Sequence, residues 1–398
     1  MQKTSGGLRR NVVIFGKTNA GKSTLFNMIL GQEAAIVAEQ AGTTTDPVVR
    51  AMELLPFGPI TLIDSAGLDD YTQLGKKRVE VTKKLSRRAD IVIMVRDAAA
   101  YPEDDAATEV EEIEKALKNK TLTVFTKCDL VSRDICERIK AKHPDALLVR
   151  SDIPGSVNEL KKVLAQELEN IENADTDTQI GDLLPRGSTV IAVVEVDSGA
   201  PKGRLILPQV QFIRDCLDHG ITPCFTKLSE LEAALGNIRS VELVVADSQI
   251  FSAVEKIVPK DIPLTSFSIL LARQKGNWGR FLEGIKHIAK LKDNDKILVL
   301  EACTHNATHE DIGRVKIPKL LAKHTGKKLD FDFYTGYQMP DNIKEYTLAI
   351  MCGSCMISKK EVLSRLEIFE DNNIAVTNYG VILAFLAGIL ERCKSVFK

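Results

Sequence analysis

The run Gly16-Lys17-Thr18-Asn19-Ala20-Gly21-Lys22-Ser23 has the spacing G-x-x-x-x-G-K-S, and it sits between an apolar run and a helix-compatible segment. Glycines at such positions let main-chain N–H groups curl around phosphate oxygens. Lys22 would neutralise those oxygens, and the Ser23 hydroxyl would ligate magnesium. Thr24 follows and is counted with the nucleotide contacts. Asp64-Ser65-Ala66-Gly67 closes a second apolar run, which places a carboxylate where it can hold the magnesium shell and puts the Gly67 N–H toward a γ-phosphate. Thr126-Lys127-Cys128-Asp129 ends a third run. Asp129 could accept from both N1–H and the exocyclic amine of guanine, whereas adenine would set an acceptor against it, so GTP is expected over ATP. Lys127 would lay its stem over the base. Thr126 stands where Asn is usual, a substitution expected to loosen the site.

Two weaker segments complete the set in sequence order. Ser151-Asp152-Ile153 reads as the final guanine loop, and Gly42-Thr43-Thr44-Thr45-Asp46-Pro47 as a switch loop. Thr44 is assigned as the threonine that joins Ser23 on magnesium when the γ-phosphate is present. Together the five segments resemble the bacterial GTPases that modify tRNA or assist ribosome assembly. Leu68 directly follows Gly67 at the place where Ras-like enzymes carry a water-orienting Gln, so hydrolysis needs another source of help. In potassium-activated relatives of this group an Asn in the phosphate loop holds a monovalent cation. Asn19 matches it, so the resemblance implies slow, potassium-stimulated turnover with Lys22, Asn19, Thr44 and Gly67 as the catalytic set.

A second constellation lies far along the chain: Cys303-Thr304-His305, and then Cys352-Gly353-Ser354-Cys355. Each follows a strand-like run, so both are expected at the carboxyl ends of parallel strands, facing one crevice. Three thiolates with an exchangeable fourth ligand suit a 4Fe-4S cluster. Cys-x-His with Cys-x-x-Cys equally suits a closed zinc site, and unligated thiols in turns are the bland alternative. Cys128, Cys136, Cys216, Cys224 and Cys393 have no partner at ligand spacing and read as packing residues.

These residues need elements to hold them. The 398 residues are 44% hydrophobic and 27% charged, enough for two or three domains. The 53 basic and 54 acidic residues leave a formal charge of -1, so no global field attracts nucleic acid or anionic lipid. The N-terminal segment lacks a signal-peptide core and no apolar run is long enough for a bilayer, so a cytoplasmic location without membrane association is expected. In a reducing compartment the 8 cysteines favour metal ligation over disulfides.

The fold class is α/β. Strands are expected at residues 12–15, 60–64, 91–96, 122–126 and 146–149, alternating with helices, which argues a doubly wound parallel sheet. Polar residues 172–185 read as a linker. Strands at 190–196, 221–225 and 243–246 alternate with helices at 209–219, 227–234 and 249–258, and residues 272–280 read as a second linker. A last α/β unit has strands at 296–300, 329–333, 346–350 and 374–376 and a helix over 381–396. No internal repeat is evident. The domains are then residues 1–172 for nucleotide, 186–268 for dimerisation and 273–398 for the cysteine site.

A GTPase head, a small α/β domain, then Cys-x-His and a distant Cys-x-x-Cys resemble the HydF family of FeFe-hydrogenase maturation proteins over essentially the whole chain. The resemblance implies a GTPase domain, a dimerisation domain and a 4Fe-4S domain. It also implies a homodimer that receives a diiron precursor from radical-SAM maturases and passes it to apo FeFe-hydrogenase. Cys303, Cys352 and Cys355 are then the cluster ligands. Many members carry His just before Cys-x-x-Cys where this chain has Met351. The fourth ligand is therefore assigned first to His305, with His309 or Glu310 as alternatives. The competing reading is a ribosome- or tRNA-directed GTPase with structural zinc.

Overall fold

Val12, Val13, Ile14 and Phe15 are all fully buried, the pattern of a central parallel strand covered on both faces. They form the middle of β1 (Arg10–Gly16) in a computed structural model that describes residues 7, 9–31, 47–65, 85–102, 120–174, 178–195, 205–302 and 312–397. Thr44, Gly67, Cys303, His305, His309 and Glu310 lie outside the described residues.

Two compact units divide at Thr176 and Asp177. In the first, β1 is joined by β2 (Val48–Leu54), β3 (Gly58–Asp64), β4 (Ile91–Asp97), β5 (Lys120–Thr126) and β6 (Leu147–Leu148) in the order β2-β3-β1-β4-β5-β6. Among the described strands only the edge strand β2 runs antiparallel, against β3. Its residues alternate between half-buried and exposed, so an apolar-run search passes over it. Helices α1 (Lys22–Leu30), α2 (Arg133–Lys142) and α3 (Asn158–Ala174) belong to this unit. The chain steps from β1 to β3 on one side and returns to β4 on the other, which opens a crevice above the end of β1.

The second unit contains two four-stranded sheets. The first comprises β7 (Thr189–Val193), α4 (Leu207–Asp218), β8 (Thr222–Thr226), α5 (Leu231–Asn237), β9 (Leu243–Ala246), α6 (Phe251–Ile257), β10 (Leu264–Ser266) and α7 (Phe267–Lys275). Next come α8 (Trp278–His287), β11 (Lys296–Glu301), α9 (Ile317–Thr325), β12 (Asp330–Thr335), β13 (Tyr346–Met351), α10 (Lys359–Asp371), β14 (Ala375–Asn378), α11 (Tyr379–Leu386) and α12 (Leu390–Lys394). The strand orders are β10-β9-β7-β8 and β12-β11-β13-β14, parallel throughout. Read from either end, these are one topology used twice. The sequence shows no repeat because parallel-strand cores accept any branched apolar residue.

Two expectations fail. Residues 272–280 are not an irregular linker: α7 runs through Lys275, α8 starts at Trp278, and only Gly276 and Asn277 break the helix. Ile269 and Ala272 of α7 pack in one core with Phe281, Val376 and Ile382, so this stretch is a structural brace between the two sheets. The helix expected over residues 381–396 is two helices, broken where Gly388 takes a φ of 74°.

α8 lies so close to β14 that a Cβ on Gly284 would sit 2.0 Å from the Val376 carbonyl oxygen. Helix propensity alone would favour Ala here by about 1 kcal/mol. A backbone clash cannot relax by a rotamer change, so Gly284→Ala is expected to destabilise the full chain by about 3 kcal/mol, seen as a lower urea midpoint.

Candidate functional site

The phosphate loop starts from Gly16, whose φ of 155° and closeness to β4 exclude a side chain: a Cβ would stand 2.5 Å from the Val95 carbonyl oxygen. Asn19 (φ 62°) and Gly21 (φ 88°) turn the chain back into α1. Asn19 is exposed at the crest of the loop, and Thr24 is exposed on the first turn of α1. Lys22 is buried, and its ammonium donates to the Lys17 carbonyl at 2.6 Å, lying across the loop that it would share with phosphates.

Ser23 Oγ donates to Asp64 Oδ2 at 2.7 Å. Burial pushes the Asp64 carboxyl up from its ordinary value, while the Ser23 hydrogen bond and the Lys22 charge pull it down. Asp64 Oδ1 is buried without a hydrogen-bond partner among the described residues. A hydroxyl and a carboxylate with a spare oxygen form a hard, all-oxygen donor set, so the residues present fit magnesium. Ser23 and Asp64 would hold it.

At the end of β5, Thr126 is tied down firmly. Its hydroxyl hydrogen-bonds the Ala20 carbonyl at 2.5 Å and reaches the Arg96 carbonyl at 3.3 Å. The expectation that Thr would loosen this site is therefore corrected: the short hydroxyl stitches the guanine loop to the phosphate loop. A Cβ on Gly21 would meet that hydroxyl at 3.0 Å, so the glycine makes room for the tie. Lys127 has a φ of 57°, and its ammonium pairs with Asp97 Oδ2 at 2.6 Å. Asp97 Oδ1 also accepts from Ala99 N–H at 2.8 Å. Sequence reasoning missed Asp97; its signal was a carboxylate ending the apolar run of β4.

The Asp129 side chain is half-buried and faces the Ser151 loop. Ser151 N–H donates to Asp129 Oδ1 and Ser151 Oγ to Oδ2, each at 3.1 Å. The hydrogen bond from the Ser151 N–H holds the carboxyl below its usual range. The structure thus brings Gly16, Asn19, Gly21, Lys22, Ser23, Asp64, Lys127, Asp129 and Ser151 to one end of one sheet.

The cysteine site is built on the last sheet. Here the chain passes from β11 to β12 and returns on the other side to β13, so the crevice opens between β11 and β13. Cys352 leaves β13 with its N–H on the Leu300 carbonyl at 2.9 Å. Its sulfur accepts from Ala302 N–H at 3.1 Å and Ser354 N–H at 3.3 Å. Ala302 immediately precedes Cys303. Ser354, at a φ of 55°, turns its N–H back onto the sulfur, and Asn378 Nδ2 holds the Cys352 carbonyl at 3.0 Å. Cys355 is half-buried; burial lifts its thiol to about 11, and the Lys275 charge opposes this.

The Lys275 ammonium is itself pulled down by burial to about 8, against the Cys355 and Cys352 charges. Met351 is 1% exposed and packs in the apolar core of the second unit. No metal-binding group of three His, Cys, Asp or Glu side chains exists among the described residues. The two described thiols on one tight turn, with main-chain N–H groups aimed at sulfur, fit a thiolate-bound iron–sulfur group. Cys352 and Cys355 would hold it, together with Cys303.

Fold and sites define a P-loop GTPase domain followed by two further parallel α/β sheets. The hydrogen maturase F dimerization domain matches residues 179–276 and the hydrogen maturase F tetramerization domain residues 279–396, while a 50S ribosome-binding GTPase family matches residues 11–127. The chain belongs to the hydrogen maturase F family.

Curated relatives match the GTPase part. The tRNA modification GTPase MnmE of Paramagnetospirillum magneticum is 34% identical over 161 residues, 40% of this chain and 35% of that protein. GTPase Der of Kosmotoga olearia is 37% identical over 142 residues, 34% of this chain and 30% of that protein. The chain thus spans about a third of the length of these relatives. A solved structure of Aquifex aeolicus Era aligns at 19% identity over 55% of this chain and 92% of that one, with a TM-score of 0.33.

Asp129→Asn would replace an acceptor of two hydrogen bonds with a group that offers a donor. GTP affinity is expected to fall about 100-fold or more, with xanthosine triphosphate bound in its place. Nucleotide competition by calorimetry checks this, and unchanged GTP affinity would remove Asp129 from the base site.

Proposed function

We propose that the chain is a GTPase and iron–sulfur scaffold that accepts a diiron precursor and delivers it to apo FeFe-hydrogenase. The carrying observation is the Cys352 sulfur at the crevice of the last sheet, held by the N–H of the residue before Cys303, in a chain whose second unit matches hydrogen maturase F domains. Residues 1–172 bind nucleotide, 186–268 form a homodimer, and 273–398 hold a 4Fe-4S cluster through Cys303, Cys352 and Cys355. His305 is the first choice for the fourth ligand, with His309 and Glu310 next; a carboxylate or imidazole at that corner leaves more easily than a thiolate.

In the first domain, Gly16, Gly21 and Lys22 bind the phosphates, Asp129 and Ser151 select guanine, and Lys127 supports the base. Magnesium, when bound to Ser23, Thr44 and Asp64, supplies charge against the phosphate oxygens. Gly67 donates its N–H to the γ-phosphate. The Leu68 side chain can neither donate nor accept, so Asn19 supplies the missing help by holding potassium. Nucleotide state then gates exchange of the radical-SAM maturases for the hydrogenase. No helix among the described residues is long and apolar enough to cross a membrane.

Replacing potassium by sodium is expected to slow GTP turnover on the order of 10-fold, and Asn19→Ala should abolish the difference. Equal rates in both salts would remove the cation from the mechanism. Replacing Cys303, Cys352 and Cys355 together by Ser is expected to abolish iron binding and hydrogenase activation while GTP turnover persists. Undiminished activation, or colourless wild-type protein carrying zinc after anaerobic purification, would overturn the scaffold reading in favour of a GTPase with a structural metal.

A further inference from the structure

Lys275 is the last residue of α7, the helix that braces the two sheets of the second unit, and its ammonium is directed at the cysteine turn of the last sheet. It donates to the carbonyls of Ser354 at 3.1 Å, Cys355 at 3.3 Å and Ile357 at 2.9 Å. Three donors meet three acceptors, so the group is saturated. The side chain is only 6% exposed, and no carboxylate pairs with it among the described residues. A buried ammonium with carbonyl dipoles but no anion is costly to keep, and such groups persist where a counter-charge completes them.

The three carbonyls face Lys275, whereas the Ser354 N–H faces the Cys352 sulfur at 3.3 Å. The peptide planes of the turn are thus sorted, with oxygens toward the cation and an N–H toward sulfur. An anionic sulfur group on Cys352 and Cys355 is the charge this arrangement lacks.

We infer that Lys275 is a positioning residue for the cysteine site: it clamps the turn so that its N–H groups face sulfur, and it serves as the fixed counter-charge to the thiolate-bound group. The inference rests on the scaffold reading for the identity of that group. The clamp itself does not. Because α7 also packs in the core shared by the two sheets, the lysine ties the geometry of the cysteine turn to the packing of the middle sheet.

The test compares full-length Lys275→Met and Lys275→Arg with wild type. After anaerobic iron–sulfur reconstitution, Lys275→Met is expected to shift the cluster potential to more negative values, because the added electron loses a nearby positive charge, and Lys275→Arg should recover most of the shift. In metal-free protein, amide hydrogen exchange over residues 352–358 should accelerate about tenfold in Lys275→Met. GTP turnover should not change. Wild-type exchange or a wild-type potential in a fully loaded Lys275→Met protein overturns the inference. If Lys275→Met does not fold, Lys275→Gln, which keeps donors without charge, carries the same measurements. If the wild-type chain takes up no iron, the scaffold reading fails, and cobalt(II) titration with the exchange measurement still decides Lys275: unchanged affinity and exchange overturn it.

Discussion

In a parallel sheet every strand exposes unpaired main-chain groups at the same end, and where two neighbouring strands send the chain in opposite directions, nothing covers those groups. The N–H that emerges there must be satisfied by a side chain or a ligand. Each sheet of this protein is organised around that requirement. Between β11 and β13, Ala302 N–H is taken by the Cys352 sulfur at 3.1 Å. Above β1, the requirement is met by bending the chain through Gly16 and Gly21, leaving main-chain donors for phosphate.

The middle sheet shows what the same geometry does with another side chain. Asp247 leaves β9 with its N–H on the Val193 carbonyl at 3.1 Å, as Cys352 leaves β13 with its N–H on Leu300. Glu195 N–H donates to Asp247 Oδ2 at 3.2 Å, which parallels Ala302 and Cys352. Ser266 and Asn378 occupy matching places as the last residues of β10 and β14, and each caps the helix that follows. A carboxylate satisfies the exposed N–H and ends the matter. A thiol makes a weaker hydrogen bond and keeps the capacity to bind a soft metal, so exchanging one side chain at this corner separates a structural crevice from a metal-binding one.

Much of this was legible in the sequence because it depends on pattern. The continuous apolar runs ending at Phe15, Asp64, Thr126 and Met351 announced buried parallel strands, and the chemistry-bearing residues directly follow those runs. What escaped was set by contact rather than by pattern. The alternating edge strand β2 carries half an apolar signal. Gly276 and Asn277 looked like a linker, although the packing of Ile269 and Ala272 extends α7 to Lys275. Thr126 looked like a defect until its hydroxyl was found on the Ala20 carbonyl, a contact between residues 106 apart in sequence.

The residues that escaped share a property with a physical cause. Thr126, Asp97, Asn378 and Lys275 touch no phosphate, base or metal in the proposed sites; each fixes a loop that does. A loop projecting from a strand end has few buried apolar atoms, so its conformation must be held by hydrogen bonds from whatever lies alongside, usually the end of a neighbouring element. Such partners are distant in sequence, and they can be hydroxyl, carboxylate, amide or ammonium as local distance dictates. Motifs therefore record the groups that meet the ligand, whose chemistry is fixed, and leave out the groups that hold them, whose chemistry is free. Lys275 is the extreme case, since its support crosses from one sheet's helix to the other sheet's loop and buries a charge to do so.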